Sequence, residues 1–139
     1  MAPSAVRAAE PGTALGTRSD AAPDLDRVEA YFDVVRGKAA EITYGFAAHR
    51  LVYGAYRFTL KERDRPFSQT MGTHLRSTYG DSEGIEVSGE GQVLHLHWST
   101  PRTKVIARFA PTSLHIQYWD REHWHATANR PAMADGPPR

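Results

Sequence analysis

The chain has 139 residues, 17 Lys and Arg against 16 Asp and Glu, and a formal net charge of +1. This length suits one domain, and the lack of cysteine excludes a disulfide framework, a thiolate nucleophile and a Cys-ligated metal site. A charge near zero excludes a globally basic nucleic-acid coat, and the sequence has no apolar run that could form a transmembrane helix.

The two ends of the chain differ in composition from its middle. Residues 1–23 and 129–139 are rich in proline and poor in large apolar side chains, so we expect both to be disordered. The remaining residues, 24–128, should form a single domain. The N-terminal stretch lacks the apolar run of a secretory signal, so we expect a soluble, cytoplasmic protein that has no membrane partner.

Residues 24–50 carry apolar side chains at alternating steps of three and four, which is typical of one face of a helix. This stripe consists of Leu25, Val28, Phe32, Val35, Ala39, Ile42 and Phe46. Asp24 has the right side chain for an N-cap. Glycine weakens a helix, so a break near Gly37 into two shorter helices is an alternative.

From residue 51 onward apolar and polar side chains alternate, as in strands with one buried face. The pattern predicts strands near 51–61, 67–79, 84–88, 92–99, 103–110, 113–119 and 123–128. Short connections between them favour an antiparallel meander. The sequence therefore predicts an α+β fold, in which a long N-terminal helix packs on the apolar face of a curved antiparallel sheet of six or seven strands.

The opposite face of this predicted sheet is basic and rich in histidine. Turn lengths set the strand registers, and they place Glu86 opposite His95. The same argument places Arg108 between His95 and His115, which completes a row across four strands. The neighbouring rows would be His97–Ile106–Gln117–His125 and Ser99–Lys104–Trp119–His123.

These rows suggest binding of an anion. An arginine between two imidazoles can hold a phosphate or carboxylate through its planar fork of donors, and cations beside aromatic rings suit single-stranded nucleic acid. Our leading hypothesis is a non-enzymatic binding module for an anionic small molecule or single-stranded nucleic acid. The candidate ligand-binding residues are Arg57, His95, His97, Lys104, Arg108, His115, Gln117, Trp119, His123 and His125.

Two other functions fit the same pattern. If the sheet closes into a barrel or cone, the chain could be a small cofactor-independent enzyme. Glu86 would then orient His95 as a general base, and Arg108 would stabilise negative charge. Alternatively, an open sheet could serve as an adaptor or effector-like interaction domain, which binds a protein partner or a second copy through its first and last strands, 51–61 and 123–128.

Metal binding is not favoured by this pattern. The pairs His95-x-His97 and His123-x-His125 each project from one strand, but about three strand spacings separate them, roughly 14 Å in a flat sheet. We therefore predict no metal ion and no cofactor.

Overall fold

The computed structural model describes residues 2–18, 25–60, 64–88 and 93–126. The elements in chain order are α1 (Pro3–Ala9), β1 (Thr13–Arg18), β2 (Arg27–Val35), β3 (Lys38–Ala47), β4 (Arg50–Thr59), α2 (Arg65–Tyr79), β5 (Gly84–Ser88), β6 (Val93–Ser99), β7 (Thr103–Ala110), β8 (Ser113–Asp120) and α3 (Arg121–Ala126). The eight strands form one antiparallel sheet in the order β1-β2-β3-β4-β8-β7-β6-β5. Within these ranges no helix is long and apolar enough to cross a membrane.

The predicted N-terminal helix is wrong, because residues 27–47 form the hairpin β2–β3. Arg36 and Gly37 make its two-residue turn with positive φ angles of 51° and 81°, which match the twist of a hairpin. β2 does alternate in sequence, because apolar side chains at Val28, Ala30, Phe32 and Val34 lie between polar groups at Arg27, Glu29, Tyr31 and Asp33. The same segment also has apolar residues at steps of three and four, so its pattern fits a helix as well as a strand. The fold is thus a mostly antiparallel sheet of eight strands with short helices.

The predicted strand at 67–79 is also wrong, since this segment belongs to helix α2. Phe67, Met71 and Leu75 are buried and recur every four residues, a spacing that fits one face of a strand as well as one stripe of a helix. The polar residue Thr73 lies midway between Met71 and Leu75 and is exposed. In a strand it would have shared their buried face, so its polarity is the signal that favours a helix.

The ends of α2 are set by local chemistry. The Asp64 carboxylate accepts a hydrogen bond from the Phe67 backbone N–H (3.0 Å), which caps the first turn. The same carboxylate forms a salt bridge with Lys38 on β3 (2.7 Å). Gly80 ends the helix with φ of 85°, a conformation that glycine adopts at no steric cost.

Both ends of the chain depart from the predicted pattern. The N-terminal stretch that we expected to be disordered contains α1, with Val6 buried, and β1, which pairs with β2. Near the other end, the predicted strand 123–128 is replaced by α3, where the Asp120 carboxylate accepts a hydrogen bond from the His123 backbone N–H (2.9 Å). The predicted C-terminal tail, 129–139, lies outside the described residues.

The other strand predictions are confirmed, since those near 51–61, 84–88, 92–99, 103–110 and 113–119 correspond to β4 to β8. The predicted registers across β5 to β8 are confirmed as well. Glu86 pairs with His95, Arg108 pairs with both His95 and His115, and His97 begins the next row as predicted.

The two faces of the sheet have different roles. One face, here called the helix face, packs against α2 and holds most of the core. Its buried members include Phe58, Trp98, Val105, Ala107, Leu114 and Ile116. The opposite face carries His95, His97 and His115 and is here called the histidine face. It also has an apolar cluster, formed by Leu25, Val28, Val52, Ile106 and Trp119.

The chain repeats one arrangement twice, namely a helix followed by a four-stranded meander. The first unit is α1 with β1 to β4, and the second is α2 with β5 to β8. The last strands of the two units, β4 and β8, pair at the centre of the sheet, and the first strands, β1 and β5, form its edges. This arrangement places the row of Arg108 and His115 beside β4 rather than at an edge.

Candidate anion-binding face

The row predicted from turn lengths continues across the centre of the sheet. His115 pairs with Arg57 on β4, and Arg57 pairs with Glu41 on β3. Residues opposite one another in adjacent strands project to the same face. The histidine face therefore brings Arg57, His115 and Arg108 together on three adjacent strands, with His95 next in line.

His115 lies between two arginines and is almost fully buried, with 8% of its surface exposed. Burial is the main reason why its pKa falls from 6.5 to about 3, and the positive charges of Arg57 and Arg108 lower it further. Its Nδ1 atom is buried and has no hydrogen-bond partner among the described residues. The imidazole is therefore neutral at physiological pH and has an unused polar atom.

The two arginines that flank His115 differ in exposure, since Arg57 is exposed and Arg108 is half-buried. Within the described part of the chain, neither guanidinium forms a salt bridge. Glu41 shares the row but is not in ion-pair contact with Arg57. The centre of the histidine face thus holds two positive charges that have no salt-bridge partner among the described residues.

Unlike Arg57 and Arg108, Lys104 already has polar partners. Its Nζ atom lies 3.5 Å from Glu83 Oε1 and 3.3 Å from His97 Nδ1. The Ser99 hydroxyl also donates a hydrogen bond to Glu83 (2.9 Å), which together with Lys104 lowers the pKa of that carboxyl group. The His97 ring covers Gly84, where an added Cβ would lie 2.7 Å from Nε2. This end of the face is packed and its charge is compensated.

Trp119 does not present a stacking surface to a ligand. It is 0% exposed, and its indole N–H donates to Gln117 Oε1 (2.9 Å). Its ring packs against Tyr53, with the ring centroids 4.4 Å apart, and against Trp124 at 5.6 Å. The aromatic surface that suggested stacking with nucleic-acid bases is therefore inside the core, together with the predicted ligand residue Gln117, which is 3% exposed.

The structure does not bring His123 and His125 into the predicted rows, because both lie on α3. The His123 ring stacks on Trp119 at 6.1 Å, and His125 Nε2 accepts a hydrogen bond from Arg121 Nε (3.2 Å). Among the described residues, no three metal-ligating side chains lie close enough together to hold an ion.

The proposed catalytic group of Glu86, His95 and Arg108 lies on three adjacent strands. His95 is half-buried. The position of the Glu86 side chain lies outside the described part of the structure, so the general-base arrangement stays a prediction from the sequence.

Sequence reasoning missed two features of this region. Glu41 was assigned to a helix, although its strand position gives the histidine face a second acidic residue. Several residues of the helix face and of α2 are tyrosines rather than phenylalanines, including Tyr56, Tyr79 and Tyr118. A tyrosine hydroxyl needs a polar environment, so this choice was a signal that part of the core is open.

The chain matches no protein-family model, no curated protein and no solved structure.

Proposed function

We propose that this protein is a binding module for a small anionic ligand, a phosphate or a carboxylate, held on the histidine face between Arg57 and Arg108. The observation that carries the proposal is the position of these two guanidinium groups on either side of β8, with no described carboxylate within salt-bridge distance of either. An anion between them would supply the missing opposite charge.

The geometry supports a ligand of limited size. Arg57 and Arg108 lie on strands that are two spacings apart, so their Cα atoms are separated by about 9.6 Å. Side chains of this length can converge on one anion, and each guanidinium can donate two parallel hydrogen bonds to it. Lys104 is already paired with Glu83, so the available positive charge is concentrated at the centre of the sheet.

The buried His115 side chain also favours an anion site at this position. It lies between the two arginines, and its Nδ1 atom has no partner among the described residues. A bound anion would offset the positive charges that lower the pKa of His115, so the imidazole should become easier to protonate in the complex. A protonated ring would then give the anion a third cationic donor.

The test is to titrate the protein with pyrophosphate and with citrate by calorimetry. Hydrogen bonds to charged groups are worth about 1.5–3 kcal/mol, so Arg57→Ala and Arg108→Ala should each weaken binding by about tenfold or more. Arg76→Ala is the matched control, because Arg76 is an exposed arginine on α2, away from this face. In wild type the affinity should fall as salt rises from about 50 to about 300 mM.

Two results would count against the proposal. One is an affinity that is the same in all three variants, since the row would then take no part in binding. The other is tighter binding of a short thymidine oligonucleotide than of pyrophosphate through the same arginines, which would indicate a nucleic-acid partner instead.

In a histidine NMR titration, the pKa of His115 should rise when pyrophosphate is bound.

A second candidate function is self-association, which one observation favours. Strand β5 forms an edge of the sheet and exposes Ile85 (65%) and Val87 (60%). An exposed apolar edge strand can pair with another copy. The earlier expectation that strands 51–61 and 123–128 form the edges is wrong, because β4 is central and residues 121–126 are helical.

Sedimentation equilibrium of wild type and Val87→Lys tests this candidate. A dimer that Val87→Lys converts to a monomer would support pairing through β5. A wild-type monomer at millimolar concentration would rule it out.

A further inference from the structure

A second site lies mainly on the helix face, away from Arg57 and Arg108. It is a cavity of about 540 Å³, a size typical of small-molecule sites. Four of its lining residues are tyrosines that belong to the helix face or to the end of α2, namely Tyr44, Tyr56, Tyr79 and Tyr118. Aromatic surface thus dominates the walls of this cavity.

A glycine forms the floor of the cavity. Gly54 pairs with Tyr44 on one side and with Tyr118 on the other, so the two tyrosines stand two strand spacings apart, about 9.6 Å between Cα atoms. A planar ring that contacts aromatic carbons on both sides at van der Waals distance needs about 7–8 Å. A Cβ added at Gly54 would meet nothing closer than the Thr43 carbonyl oxygen at 3.9 Å. The slot above Gly54 is therefore open.

The walls also offer polar groups. Within the described residues, the hydroxyls of Tyr56, Tyr79 and Tyr118 have no hydrogen-bond partner, whereas the Tyr44 hydroxyl donates to Glu10. Burial raises the pKa of Tyr118, and the nearby hydroxyls of Tyr79 and Tyr56 raise it further. Burial also raises the pKa of Tyr79, so Tyr79 and Tyr118 stay protonated at neutral pH and can each donate a hydrogen bond to an acceptor on a ligand.

We propose that this cavity binds a planar aromatic molecule that carries a carbonyl acceptor, with its ring above Gly54 between Tyr44 and Tyr118. An aliphatic ligand would fill the same volume but would gain no ring stacking, and its hydrocarbon chain would offer the phenol donors no carbonyl acceptor. The site is independent of the anion-binding proposal, because Arg57, Arg108 and His115 are not among the residues that line the cavity.

Equilibrium dialysis with flavone, a neutral planar ketone, is the direct test. Wild type should bind one flavone saturably and should bind dodecan-1-ol at least tenfold more weakly. Gly54→Phe places a ring in the slot and should weaken flavone binding more than tenfold. Tyr118→Phe keeps the stacking surface but removes a donor, which should weaken binding about three- to tenfold.

Thr59→Phe is the control, because Thr59 is exposed on the same strand and projects to the other face. It should leave flavone binding unchanged, and Gly54→Phe should leave pyrophosphate binding unchanged. Circular dichroism establishes that each variant is folded. If Gly54→Phe does not fold, the flavone affinity of Tyr118→Phe tests the proposal. Equal flavone affinity in wild type and the folded cavity variants would overturn the proposal, and so would binding of dodecan-1-ol as tight as that of flavone.

Discussion

At the scale of single residues, the histidine face shows how one register leads to very different environments. His95, Arg108 and His115 share a row, as their spacing from the turns predicted. Yet His115 is buried at the centre of the sheet, whereas His95 is half-buried nearer the edge. Alternation places a side chain on a face, but only the strand order determines how many neighbours cover it.

The burial of His115 predicts a loss of stability in acid. Its pKa is about 3 in the folded protein and near 6.5 when unfolded, so between these values only the unfolded state takes up the proton. The free energy of unfolding should therefore fall as the pH drops from about 6.5 towards about 3, by up to about 1.4 kcal/mol per pH unit from this residue. His115→Gln should remove this part of the slope, which urea denaturation at several pH values would measure.

The prediction is tested by comparing the pH dependence of stability in wild type and in His115→Gln. At pH 8 the imidazole is neutral in both the folded and the unfolded state, so any stability difference there reflects packing alone. If wild type and His115→Gln lose stability in parallel on acidification, the buried imidazole is not the cause.

At the scale of elements, local sequence did not distinguish helix from strand in three segments, 24–50, 67–79 and 123–128. Apolar residues recur every four positions in α2, which fits both periods, and β2 carries a strand-like alternation together with apolar steps of three and four. The beginning of α2 is set by specific side-chain chemistry, because Asp64 caps its first turn while also binding Lys38.

The two contacts of Asp64 should differ in strength. Asp64→Ala removes the cap, and we expect it to lower the free energy of unfolding by about 1–2 kcal/mol. Lys38→Ala removes only the ion pair, whose lysine is 40% exposed, and should cost less than about 1 kcal/mol. Urea denaturation of both variants measures the difference. An equal loss in the two variants would mean that the cap contributes little beyond the ion pair.

At the scale of the whole molecule, the two helix-and-meander units share one core. Ala40 and Phe58 come from the first unit, and they pack with Leu114 and Ile116 from the second. The pairing of β4 with β8 joins the two sheets into one. Neither unit can bury its apolar face alone, so the chain should unfold as a single cooperative structure.

Phe58→Ala tests this cooperativity. Phe58 is 0% exposed, and its truncation should cost about 3–5 kcal/mol. All three tryptophans, Trp98, Trp119 and Trp124, belong to the second unit or follow it, so tryptophan emission reports on the part of the chain that does not contain Phe58. The urea midpoints by emission and by far-UV circular dichroism should shift together. A shift in circular dichroism alone would show that the units unfold separately.

The sequence by itself determined the strands β4 to β8, the registers across β5 to β8 and the row of Glu86, His95, Arg108 and His115, because short turns and strict alternation are local properties. The tertiary structure decided the rest. It replaced the long helix with a hairpin, continued the row to Arg57 and Glu41, buried Trp119, and left a cavity between the tyrosines. The physical reason is that burial depends on which strands become neighbours, and β4 pairs with β8 across about sixty residues of chain. Contacts between such distant segments leave little trace in local periodicity.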